Sequence, residues 1–168
     1  MKSSLSFLIL FLLSVAPVHA GNVRLPSDGA IKLQVTIPNG WKTSVDKEGV
    51  LSADSPDEEL GLVSWAVDRE ELVKLKDAPN KLALMLADCV TGIRIVAQPV
   101  HGKVGNVLTT LVQGTGIDVD DKTPVHFRAL ILNGEPGHVT VVYLAAGSDV
   151  EKSRLAVFDQ ILRSVRPL

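Results

Sequence analysis

The run Val139-Thr-Val-Val-Tyr-Leu-Ala-Ala146 is the tightest constraint on what this chain can fold into, because it is apolar at odd and even positions alike. Successive side chains of a strand point to opposite faces, so such a run needs cover on both sides and belongs at the centre of a sheet. The run Val125–Leu132 precedes it across Asn133-Gly-Glu-Pro-Gly137, whose residues suit a tight hairpin. The two runs are read as an antiparallel pair, with position 132 opposite about position 138 and helices above and below the central strand.

The first half of the chain alternates instead. Ile31, Leu33, Val35 and Ile37 interleave with Lys32, Gln34 and Thr36, the period-two pattern of a half-buried strand. Pro38-Asn-Gly40 ends it, Trp41 to Val45 resumes extended structure, and Asp46-Lys-Glu-Gly49 turns again. Val50–Ala53 and Leu60–Val67 complete four strands joined by turns too short for parallel crossovers. Later, Ile93–Val100 and Val104–Gln113 read as strands, the second ending in Gly114-Thr-Gly116.

Two segments change to helical period. Asp68 with Glu71 starts a short helix, and Asp77 restarts a longer one whose Leu82, Met85, Leu86 and Cys89 share a face, with Gly92 as its C-cap. Near the end, Ser148 and Glu151 have capping-box spacing, and Leu155, Phe158, Ile161, Leu162 and Val165 form one apolar stripe before Pro167.

The N-terminus carries a different message. Lys2 precedes an apolar run from Leu5 to Val15, Pro17 breaks it, and Val18-His-Ala20 leaves small residues before Gly21. This is the layout of a secretory signal, so residues 1–20 are expected to be cleaved and the protein to be secreted or periplasmic. No cysteine follows the cleavage point, so the lipobox of a lipoprotein is missing, and no second long apolar run offers a membrane anchor. Removing 20 of the 168 residues leaves 148, read as a polar lead over residues 21–29 and one domain over residues 30–168. The net charge is −2 with acids and bases interspersed, which gives no reason to expect nucleic acid. Cys89 is the single cysteine, so no internal disulfide is possible and packing must hold the core.

The chemical motifs are mostly negative. His101, His126 and His138 have no ligand spacing, so no metal site is expected. Asp118-Val-Asp-Asp121 reads as a solvated hairpin tip; it lacks the glycine and glutamate of a calcium loop. Cys89 reads as a small core hydrophobe rather than a nucleophile. Glu58-Glu59 and Glu70-Glu71 are chain neighbours that point apart, and Gly114-Thr-Gly116 is too short to cradle phosphate. No catalytic residue and no cofactor is expected. Trp41, Trp65 and Tyr143 remain as candidate ligand or partner residues, provided they converge on one cleft.

The phrase Leu33-Gln-Val-Thr-Ile-Pro-Asn-Gly-Trp41, the following Leu51-Ser-Ala-Asp-Ser-Pro-Asp57 and the closing Phe158-Asp-Gln-Ile-Leu-Arg-Ser-Val165 together resemble the Mog1/PsbP-like group, including its small secreted DcrB-type domains. The resemblance covers most of residues 30–166. It implies an α+β fold, a twisted antiparallel sheet flanked by helices in an α/β/α sandwich, and action by binding or scaffolding. Function diverges widely on such a fold, so no functional residue is carried over. The expectation is an exported, non-enzymatic domain that binds a protein partner or supports an envelope assembly. The alternative is a carrier of a small apolar ligand between sheet and helix. A hydrolase using Cys89 or a histidine ranks last.

Overall fold

The computed structural model describes residues 21–26, 32–75, 77–133 and 137–168. The expected signal segment, residues 1–20, lies outside the described residues, as do Ile31 and most of the turn between the two clearest strands. The paired strands form as their apolar pattern demands. β9 (Pro124–Asn133) and β10 (His138–Gly147) run antiparallel, with Thr140 opposite Leu132, so the hairpin register differs by two positions from the expected one. On its other side β10 pairs with β5 (Leu60–Asp68), and β10 is therefore central.

The other strands extend this sheet at both ends. β3 (Lys42–Val45) and β4 (Leu51–Asp54) continue it beyond β5. Beyond β9 lies β8 (Val107–Asp118), twelve residues long, with room for two partners along its outer side. β7 (Val100–Val104) pairs with its first half and β6 (Val90–Ile95) with its second. The order is β3-β4-β5-β10-β9-β8-β6, all antiparallel. A second, three-stranded sheet joins β1 (Asn22–Arg24), β2 (Leu33–Thr36) and β11 (Arg166–Pro167) in the order β1-β2-β11.

The two faces of the large sheet carry separate cores. Val142, Leu144 and Ala146 of β10 meet the small sheet and α3 (Ala156–Arg163), with Val35, Ile37, Trp41, Phe158 and Ile161 in the same cluster. Val139, Val141 and Tyr143 point the other way, into a cluster with Phe127, Val90, Leu86, Met85 of α2 (Ala78–Met85) and Leu72 of α1 (Arg69–Val73). Every residue from Val139 to Leu144 is buried, as its two-faced apolar run requires. No helix among the described residues is long and apolar enough to cross a membrane.

This overturns the α/β/α sandwich. Half of the described residues lie in strands and 15% in helix, with two antiparallel sheets and three short helices. The layering that the resemblance implies is not the one this chain adopts. The reason lies in helix length. Asp68 and Asp77 do cap α1 and α2, accepting from the Glu70 and Asn80 amides at 2.8 Å each. However, α2 stops at Met85: the Cys89 and Val90 amides both donate to the Leu86 carbonyl, folding residues 86–89 into turns. Gly92 is no helix cap; it sits in β6 with φ +61°, where the register with β8 shifts. Ser148 and Glu151 form turns rather than a capping box, and α3 begins only at Ala156 with no side-chain cap. Helices this short depend on packing rather than on their own propensity.

Part of the expected polar lead becomes β1, and Pro167, expected only to end a helix, ends the two-residue strand β11 opposite Leu33. Gly114 and Gly116 do not end a strand either; they lie inside β8. A Cβ on Gly116 would stand 2.8 Å from the Thr91 carbonyl oxygen, and one on Gly114 2.5 Å from the Phe127 ring. These glycines let β6 and the Phe127 ring approach β8 closely.

Candidate functional site

The second face of the large sheet is only partly covered, because α1 and α2 together span thirteen residues. Two grooves remain on it. The first lies between α2 and strands β6, β7 and β8. Asp77 and Pro79 fix the start of α2, and the Asn80 side chain returns a hydrogen bond to the Asp77 carboxylate at 2.9 Å. β6 is drawn across β8 by the glycine contacts. The space left between has a volume of about 890 Å³ and is walled by Leu82, Met85, Ile93, Ile95, Val112 and Ile131. At its rim His101 Nδ1 and Thr110 Oγ1 lie 3.1 Å apart.

Apolar surface continues outside this groove. Ile95 is 41% exposed and Val96 59%, and Val100 is exposed as well. β6 ends the strand order, so its outer edge carries no partner strand among the described residues. The opposite edge, β3, is short, with Lys42 paired to Glu58 at 3.1 Å, a composition that discourages strand addition. The β6 edge carries one exposed charge, Arg94, between Ile93 and the exposed Ile95.

The second groove, about 720 Å³, lies over β5 and β10 on the same face. Its floor holds Trp65 and Tyr143, ring centroids 6.4 Å apart and tilted by 57°. Phe127 stacks on the other side of Tyr143 at 5.7 Å. Trp65 sits opposite Val141, two residues from Tyr143, so the register puts both rings on one side of the sheet. Trp41 is 7% exposed and belongs to the core of the opposite face. Thus two of the three sequence candidates converge and the third is a packing residue.

Cys89 lies beside this aromatic floor. Burial, with Asp88, Asp118 and Asp120 adding to it, pushes its thiol up to about 12. Burial also pushes the Tyr143 hydroxyl up, helped by Cys89 and Asp118. Both shifts keep the protonated form, the reverse of what a thiolate nucleophile needs. At pH 8, Cys89 should therefore alkylate with iodoacetamide at least about tenfold more slowly in the folded protein than in urea; equal rates would contradict the site's polarity. Linkage gives the sign for stability. From the ordinary value of 9.0 up to about 12, the unfolded thiol loses a proton that the folded one keeps, so stability falls across that range. Cys89→Ala should flatten this alkaline decline in urea midpoints and leave values below pH 9 unaffected by thiol titration.

The remaining motifs settle as surface features. Asp118 accepts from the Asp120 and Asp121 amides at 2.8 and 3.0 Å, and so serves the β8–β9 hairpin tip. Arg154 anchors Asp57 at 2.6 Å and also pairs with Glu59. The Ser55 hydroxyl, with Arg154, holds the Asp57 carboxyl below its ordinary range. No group of three or more His, Cys, Asp or Glu able to hold a metal occurs among the described residues. The α2 groove was not singled out from sequence. Its one signal was the apolar excess Ile93, Ile95, Val96 and Val100 in a run that the structure leaves mostly exposed. No protein-family model matches the chain, and comparison with curated proteins yields no match.

Proposed function

We propose that this chain is an exported, non-enzymatic binding module that holds an extended apolar segment of a protein partner along β6, with alternate side chains in the α2 groove. The observation that carries the reading is the coincidence of an apolar groove of about 890 Å³ with a sheet edge that has no partner strand among the described residues. Strand addition uses both at once: main-chain hydrogen bonds supply affinity, and pockets for every second side chain supply selectivity. The protonated state of Cys89, which disfavours a thiolate nucleophile, supports binding over catalysis. The leader-like run from Leu5 to Val15 supports a place outside the cytoplasm.

The test is selection of peptides from a displayed random library, followed by binding to purified variants. Selected peptides should be extended and alternate apolar with polar residues. Ile95→Asp should weaken them at least about tenfold through loss of apolar contact and burial of charge, with an unchanged melting temperature because Ile95 is 41% exposed. Equal binding to Ile95→Asp would overturn the reading.

A second reading rests on the groove's volume, which falls within the range of small-ligand pockets. On that reading native mass spectrometry would find an apolar molecule retained by the purified protein. The exposure of Ile95 in the groove wall favours a segment lying across it over an enclosed molecule.

A further inference from the structure

Tyr143 is 3% exposed, lines the second groove, and its hydroxyl has no hydrogen-bond partner among the described residues. Buried tyrosine hydroxyls normally find one, because leaving the group unpaired forfeits its hydration for nothing. The groove around it has a consistent chemistry. Glu48, Asp68, Asp88, Asp118 and Asp120 line it, and His138 is its only basic side chain among the described residues. Its floor is the Trp65–Tyr143 pair.

These features select among ligands. Five carboxylates repel an anion. A neutral apolar molecule would leave the hydroxyl unpaired and gain nothing from the acids. A metal ion finds no group of three ligating side chains among the described residues, and aromatic faces give a hard dication no oxygen donors. An organic cation uses all three features. Its positive charge sits in the field of the carboxylates, its carbon body lies on the rings, and one N–H donates to the Tyr143 oxygen.

We infer that the groove over β5 and β10 binds a primary ammonium or guanidinium group against the half-buried Trp65 ring, in the field of the surrounding carboxylates, with the Tyr143 hydroxyl at the groove floor as its hydrogen-bond acceptor. The site is separate from the α2 groove and does not depend on what occupies that one.

The experiment is calorimetric titration of the full protein with benzylammonium, with benzyl alcohol as the neutral isostere. N-acetyl-lysine amide and N-acetyl-arginine amide form the polypeptide arm. Expected is saturable binding of benzylammonium, at least about tenfold weaker binding of benzyl alcohol, and weakening with added salt. Tyr143→Phe should weaken the cation at least about fivefold while the melting temperature holds or rises, because it deletes an oxygen with no partner among the described residues. Asp88→Asn with Asp120→Asn should weaken it through the field alone. Tighter binding of the two amides than of benzylammonium identifies a side chain of a polypeptide as the source; tighter binding of benzylammonium identifies a free amine. Equal binding of the alcohol, undiminished binding to Tyr143→Phe, a lowered melting temperature in that variant, or no saturable binding by any cation would each overturn the inference.

Discussion

Phe158→Ala should destabilise the protein by about 3–5 kcal/mol in urea unfolding. Phe158 is 1% exposed at the centre of the first core, where α3 meets the small sheet and β10. Large-to-small changes at such sites lose the transfer energy of the ring and leave a cavity that surroundings only partly fill. Here the surroundings are also weak. α3 has eight residues and no side-chain N-cap, so it holds its place through Phe158, Ile161 and Leu162. Its end is tied to β2 by the Thr36 amide donating to Ser164 Oγ at 2.8 Å, and its flank to β9 by the Arg128–Asp159 pair. Loss of the ring should therefore loosen α3 and the β11 strand that follows it. A loss of several kcal/mol is a large share of the stability of a domain of this size. A measured cost below about 1.5 kcal/mol would show that α3 is not the keystone of that face.

Gly116→Ala is expected to cost about 2–3 kcal/mol, far more than a methyl group usually does on a strand. Its Cβ would stand 2.3 Å from Val90 Cγ2 and 2.8 Å from the Thr91 carbonyl oxygen. A side-chain methyl can shift, but the carbonyl belongs to the backbone of β6. The strand must lift away from β8, straining the pairs Val90–Asp118 and Thr91–Ile117. Gly114→Ala meets the Phe127 ring and the Arg94 carbonyl in the same way, at 2.5 and 2.9 Å. Thr115→Val, on the residue between, should stay within about 0.5 kcal/mol. Because β6 forms one wall of the α2 groove, the alanine variants should also lose peptide binding in proportion. A cost for Gly116→Ala no larger than for Thr115→Val would mean that β6 does not lie as close to β8 as described.

The sequence disclosed the sheet better than its covering. β10 was legible because both faces are apolar, and β2 to β5 because alternation and turn residues mark their ends. The β7–β8 hairpin was not. Gly105-Asn106 interrupts residues that otherwise read as continuous strand, and the turn shows itself only through the φ of +58° at Gly105. β1 and β11, of three and two residues, are too short to carry any periodicity. Helical signals were local truths with the wrong extent. Asp68 and Asp77 cap as expected, but nothing in the stripe from Leu82 to Cys89 announces that Leu86 will collect the Cys89 and Val90 amides and end the helix.

The candidate sites show the same division. Trp65 and Tyr143 could be named from residue type, but their convergence needed the register of β5 on β10. Trp41 follows a turn and precedes β3, so no alternation assigns it a face, and it lies in the opposite core. The α2 groove depends on how far β6 bends around β8, which Gly114 and Gly116 decide through contacts with β6 residues far from them in the chain, Arg94 and Thr91.

Whether β6 and the α2 groove receive an extended partner segment is decided by amide hydrogen exchange with and without a library-selected peptide. Amides of Ile93 to Ile95 should slow at least about tenfold on binding, those of Lys42 to Val45 in β3 should not change, and Ile95→Asp should abolish the effect. Unchanged exchange in β6 with new protection along β3 would contradict a partner segment on β6.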